Sequence, residues 1–336
     1  MPCRPFERRW PGAAKIIGSP VPTTARLSMT DLHSDTPSAR FGPVTVYFGE
    51  KTGKYPDGNQ VIVHGGDTVV AFDTPKVANR LGAARFDDIV DMVVLGHVHE
   101  DHMAGLHRLP HAPVHVHERD VEAARSWEGL CRHFGYPQAA LDNFRQKMDT
   151  DFSYKPRPDA LAYRDGAVWD LGGGIRVRAV HLPGHTAGHC ALVVEPHGIA
   201  FIGDIDLSSF GPYYGDATSC LADFRRSLAQ LPSLDAQVWI TSHHKGVYTD
   251  RAAFEDALRA YTARLDARDA VLVDRLRVAP CTLEELAEGG FLYPRGHNAS
   301  MATTTIERHS IAQHLEEFVA AGRVAHGDDG RYRLQR

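Results

Sequence analysis

Short apolar runs alternate with stretches of helical periodicity between residues 41 and 250, and that alternation decides the class of fold. Val44–Phe48, Val61–His64 and Thr68–Asp73 are β-branched or apolar runs separated by Gly, Asp and Asn clusters, which predicts an antiparallel meander. Val77–Leu81 follows at helical spacing, with Pro75 placed where a first helical turn favours it. Met92–Leu95 is a four-residue apolar run stopped by Gly96 and reads as a fully buried strand. Pro113–His117 reads as another, with a helical stretch from about Arg119. From about Ser126 to Asp165 no period is evident and aromatic residues gather (Trp127, Phe134, Tyr136, Phe144, Phe152, Tyr154, Tyr163). That segment is expected to be irregular, equally suited to roofing a pocket or to covering the core. Strands return at Ile175–His181, Ala191–Glu195, Ile199–Ile202 and Gln237–Thr241, with a helix over about Cys220–Leu231. Strands and helices interleaved in this way imply sheets covered by helices.

Beyond residue 250 the pattern changes. A helix from about Ala252 to Leu276 leads to Thr282, a natural N-cap with Glu284 and Glu285 in the turn after it. A second helix over about Ile306–Ala321 carries Ile311, Leu315, Phe318 and Val319 on one stripe and stops at Gly322. Arg323–His326 and Tyr332–Leu334 read as a hairpin. Helix, helix, hairpin is the order of a winged helix, so residues 251–336 are expected to form a helical linker and a small α+β unit.

Composition narrows the function classes. At 43% hydrophobic and 24% charged, the 336 residues suit an ordinary globular protein. No apolar run is long enough for a spanning helix, and the net charge of -5 advertises neither a membrane nor a nucleic-acid partner. Five scattered cysteines without a C-x-x-C pair speak against a disulfide framework or a thiolate zinc site, and favour the cytoplasm. Residues 1–40 differ from the rest: six Lys/Arg against three acids, rich in Pro, Ser and Thr, without the apolar core of a secretory signal. They read as a disordered extension, or as chain ahead of a true start near Met29.

The chemistry concentrates in His97-Val98-His99-Glu100-Asp101-His102, where the buried strand gives way to a loop. Alternate residues of an extended segment share a face, so His97 and His99 can address one ion. After the turn, Asp101 and His102 can address a second. Neutral imidazoles with a hard carboxylate suit zinc and tolerate iron or manganese. No Gly-x-Ser-x-Gly elbow is present, and no cysteine has the context of a nucleophile.

His97-x-His99-x-Asp101-His102 resembles the signature of the metallo-β-lactamase superfamily, and further landmarks resemble that family in order. They are Asp73 at a strand end, Pro183-Gly184-His185-Thr186, Phe201-Ile202-Gly203-Asp204 and Ser242-His243-His244. The resemblance covers about residues 41–250 and implies an αββα sandwich of the α/β class. It implies that His97, His99 and His185 hold one metal, that Asp101, His102 and His243 hold the other, and that Asp204 bridges them. Asp73 would orient ligands from outside. His244 is the alternative to His243, while Asp206, His111, His115, His117, His181 and His189 are expected to be structural. Two Zn²⁺ ions in such a site generate a bridging hydroxide, with Asp101 as the catalytic group that accepts the proton and steers the attack.

The segment after Asp204 lacks the Gly-Cys-Gly-Arg-type sequence expected of glyoxalase II and persulfide dioxygenases. Only 39 residues separate Asp204 from His243, too few for the inserted domain of the larger nucleases. The tail from 268 to 336 holds nine Arg and no Lys against ten acids, and a phosphate-gripping module should be basic. These features together point to a hydrolase of an acyl thioester or similar activated ester, with a small-molecule substrate. A lactonase, a small endoribonuclease and a ligand-sensing module that contacts nucleic acid are the alternatives. The tail is expected to pack on the catalytic unit, to shape the pocket mouth or to join a homodimer.

Overall fold

The computed structural model describes residues 36–244, 246–294 and 300–335. Two sheets face one another. The first has seven strands in sequential order: β1 (Ser38–Phe41), β2 (Val44–Tyr47), β3 (Gln60–His64), β4 (Val69–Phe72), β5 (Met92–Val94), β6 (Val114–His117) and β7 (Leu161–Tyr163). The second runs β13 (Val247–Tyr248), β12 (Val238–Ile240), β11 (Ile199–Phe201), β10 (Cys190–Glu195), β9 (Arg176–His181), β8 (Val168–Asp170). Strand alternation builds the layers. In β10, Cys190, Leu192 and Val194 join Val61, Val63, Phe72 and Val94 between the sheets, while Ala191 and Val193 face the helices behind. The expected αββα sandwich is the observed one.

Pairing direction places the site. β1 to β4 form the expected antiparallel meander, but β4 pairs parallel to β5 and β11 parallel to β12. The carboxyl ends of these strands therefore open on one edge of the sandwich, the position where α/β sheets present ligand sites. Asp73, His97, Asp204 and His243 each follow one of these ends.

Several expectations need correction. The segment 126–165 is mostly helical, with α1, a single turn at Glu50–Gly53, and α2 (Val121–Arg125) preceding α3 (Trp127–Phe134) and α4 (Gln138–Asp151). The Ser126 side chain accepts from the Gly129 N–H, and Gly135 at φ 69 closes α3 in the left-handed region. α4 hides its period because it buries only Ala140, Leu141 and Met148. β7 and β8 are strands not foreseen, and β1 enters the sheet three residues ahead of 41. The stretch at Val77–Leu81 is a 3₁₀ turn, Lys76–Arg80. Residues 1–35, including the expected start near Met29, lie outside the described residues.

α5 (Leu221–Gln230) and α6 (Arg251–Val278) cover the second sheet with Phe224, Leu228, Phe254, Leu258 and Tyr261. α6 continues into the C-terminal unit of α7 (Leu283–Glu288), α8 (Met301–Ala320) and the hairpin β14 (Val324–His326) and β15 (Tyr332–Leu334). Thr282 and Glu285 form a reciprocal capping box on α7, and α8 starts at a Ser300 cap, five residues before the apolar stripe suggested. Leu272, Leu276, Leu286, Ile311, Leu315 and Phe318 give this unit its own core. The unit also grips the loop between β11 and α5. Arg268 donates to the Phe210 and Pro212 carbonyls, Gln313 to the Tyr214 carbonyl, and His314 Nε2 lies 2.8 Å from the Tyr214 hydroxyl. A Cβ at Gly215 would sit 2.4 Å from Ile306, so only glycine permits this approach.

Candidate metal centre

Five histidines converge at the open edge, and for four of them one ring nitrogen is pinned from behind. His102 Nδ1 lies 2.8 Å from Asp73 Oδ2, and His99 Nε2 lies 2.9 Å from Asp216 Oδ2. His185 Nδ1 is 3.0 Å from the Tyr213 carbonyl, and His243 Nδ1 is 2.9 Å from the Gly53 carbonyl. Each of these contacts fixes one ring nitrogen and turns the opposite one inward. Those inward atoms meet around Asp204. Its Oδ2 is 3.4 Å from His185 Nε2 and 3.9 Å from His97 Nε2; its Oδ1 is 3.2 Å from His102 Nε2 and 3.5 Å from His243 Nε2. Asp101 Oδ2 lies 3.2 Å from His243 Nε2.

Both ring nitrogens of His97, the Nε2 of His102 and the Oδ1 of Asp204 are buried without a well-formed hydrogen bond. Buried polar atoms normally find partners, and several left facing one point call for a cation. Two groups have the spacing for one: His97, His99, His185 and Asp204, and Asp101, His102 and His243. A third, Asp73, His97 and His102, is also close enough, but Asp73 Oδ2 is taken by His102 and its Oδ1 accepts from the Gly96 N–H at 2.7 Å.

The electrostatics are those of a pocket that favours positive charge. Burial holds His97 well below the usual imidazole range, so it is neutral. Burial alone would lower His99, but the hydrogen bond and charge of Asp216 outweigh it and push it up to about 9. Burial would raise Asp101 and Asp204, yet the neighbouring histidines hold both below the carboxylate range. The cluster keeps its carboxylates ionised and its histidines near negative charge.

Residues 57–260 match the profile of the metallo-beta-lactamase superfamily. The chain belongs to the metallo-beta-lactamase superfamily. A metallo-beta-lactamase family protein from Thermus thermophilus superposes with a TM-score of 0.62 at 28% identity, covering 84% of this chain and 96% of that one. An atrochrysone carboxyl ACP thioesterase from Paecilomyces divaricatus is 30% identical over 42% of this chain and 46% of its own length. A hydroxyacylglutathione hydrolase from Aeromonas salmonicida is 28% identical over 48% and 50%. The chain spans about half the length of the curated relatives it matches.

All seven metal-site residues expected from the superfamily signature (His97, His99, Asp101, His102, His185, Asp204 and His243) come together in the cluster. His244 turns away: its backbone is left-handed, φ 58, and its Nε2 lies 3.3 Å from Asp206. His189 stands behind the cluster, Nδ1 3.1 Å from the Leu182 carbonyl and Nε2 accepting from the Asp204 N–H; burial and His185 lower its pKa to about 3. Sequence reasoning missed two carboxylates. Asp216 backs His99 and accepts from the Tyr136 and Tyr213 hydroxyls. Asp120 accepts from the Val98 N–H, the Thr186 hydroxyl and the Gly188 N–H, and so ties the first histidine loop to the third. Position at a strand-to-helix junction was the one signal for Asp120, since it closely follows β6. Asp216 had none beyond its place in the loop after Asp204.

Proposed function

We propose that this protein is a dinuclear metal hydrolase acting on an acyl thioester or a comparably activated ester. The observation that carries the reading is the sharing of Asp204, whose two carboxylate oxygens face the two histidine groups separately. His97, His99 and His185 would hold one ion, Asp101, His102 and His243 the other, with Asp204 between. Nitrogen and oxygen donors of this kind suit zinc. Ions held there would supply a water that ionises near neutral pH and a Lewis acid for the substrate carbonyl.

The chain's own residues do the rest. Asp73, Asp216 and the Tyr213 and Gly53 carbonyls fix the ring orientation and tautomer of four ligands. Asp101, held ionised by His102 and His243, would steer the attacking water and accept its proton. Both matched relatives whose names state an activity cleave an acyl group from a thiol, on glutathione or on an acyl carrier protein, which favours thioesters over lactones. We read residues 41–250 as the catalytic domain and 251–336 as a winged-helix-like brace for the loop that supplies Tyr213 and Asp216.

Metal analysis and a thioester assay test this together. Two equivalents of transition metal and hydrolysis that is lost on chelation and restored by zinc are expected. Fewer than one bound equivalent, or hydrolysis that survives chelation, overturns the reading.

A further inference from the structure

Lysine is scarce in this chain, seven residues against 30 arginines. Five of the seven are described, Lys51, Lys54, Lys76, Lys147 and Lys155, and Lys147 and Lys76 gather on the rings of Tyr55 and Phe152, next to the histidine motif. Lys51 and Lys54 lie in the turn just ahead of Tyr55, where the Gly53 carbonyl between them meets His243. Tyr55 donates to Glu100 at 2.8 Å, inside the histidine motif, and accepts from Lys147 Nζ at 3.4 Å. Lys147 and Lys76 stand 5.8 and 5.5 Å from the centre of the Phe152 ring, and Lys155 follows three residues later.

The arginines of this protein spend their charge internally. Among the described residues, arginine and histidine make every side-chain ion pair, and no lysine makes one. The carboxylates on the same rim have other partners: Glu50 and Asp57 face Arg80, Asp149 faces Arg145, Glu100 has Tyr55, and Asp151 accepts from the Thr150 hydroxyl. Among the described residues these lysines therefore keep no carboxylate at ion-pair distance. Beside them stands the Tyr55 ring, 46% exposed, with Lys147 Nζ 5.5 Å from its centre. Ammonium groups without carboxylate partners beside a partly exposed aromatic ring match a nucleotide, phosphates to ammonium groups and base to ring.

We propose that this lysine rim binds the leaving-group half of the substrate, and that this half is a thiol carrying a phosphorylated nucleotide, the chemistry of coenzyme A. This rests on the thioester reading above. Hydrolysis would then return the acyl group as a carboxylate and the carrier as the free thiol, with water as the only co-reactant.

The test compares an acyl-coenzyme A with the same acyl group on pantetheine, which has the thioester arm without nucleotide or phosphates. With metal-loaded protein at low salt, kcat/KM is expected to be about tenfold or more higher for the coenzyme A ester. The ratio should fall toward one at high salt, about 0.5 M, and in a K76Q/K147Q double variant. Equal values for the two substrates, or a double variant that lowers both alike, overturn the proposal. So does a preference for an acylated carrier protein or for single-stranded RNA over acyl-coenzyme A. Titration with coenzyme A itself by calorimetry separates the two readings. Salt-sensitive binding, weakened in K76Q/K147Q, without hydrolysis of any thioester would sink the thioester reading and leave the rim standing; hydrolysis without such binding does the reverse.

Discussion

Two groups of histidines stand out among the described residues, and of these one has the makings of a metal centre. His115, His117 and His181 are as close-packed as the five at the open edge: the His117 and His181 rings stack 4.2 Å apart, against Tyr163, and His115 packs on Trp169. The difference lies in what surrounds the rings. His181 Nε2 is used by the Ala187 carbonyl and His117 Nδ1 accepts from the Arg119 N–H, and among the described residues neither ring pairs with a carboxylate. In the five-histidine cluster, acceptors pin the outer nitrogens of four rings and two carboxylates draw the inner ones together. Histidine density is not the decisive quantity; the placing of acceptors and anions around it is.

The largest effect should separate the groups outright. Asp204→Ala is expected to drop bound metal from two equivalents to one or fewer and to reduce thioester hydrolysis by about 10³-fold or more, whereas His117→Gln should leave metal content unchanged. Inductively coupled plasma analysis of the two variants side by side checks this. Asp120→Ala leaves two buried N–H groups and the Thr186 hydroxyl without their acceptor, and should cost roughly 2–4 kcal/mol in denaturant unfolding. A midpoint that does not move would show that these loops are held by something else.

Asp216→Asn should weaken metal binding by about 10- to 100-fold in competition with a chromophoric chelator, because the carboxylate behind His99 is lost while the fold is kept. The smallest effect concerns acid. Burial and His181 lower the pKa of His117 to about 4, so the unfolded chain takes up a proton before the folded one does. Its contribution to stability is complete above about pH 6.5 and is lost as pH falls toward 4, by at most about 1.4 kcal/mol per unit. His117→Gln should flatten that part of the pH dependence of unfolding relative to the parent protein; equal slopes would refute the assignment.

Much of the fold was legible because its strands carry a period of two and its helices begin at caps. The thin amphipathicity of α4 hid the helical roof, although Ser126 and Gly135 mark the ends of α3 plainly. The signature His97–His102 could be read at once, since its residues are neighbours in the chain and an extended segment dictates which of them share a face. The sequence alone supplied the candidate donor types, their order and the strands they follow. Tertiary structure decided which distant groups aim them. Asp216 is 117 residues from His99, and Gly53 is 190 residues from His243. No local periodicity encodes such pairs, because they arise only when parallel strands from two sheets bring their ends to one edge.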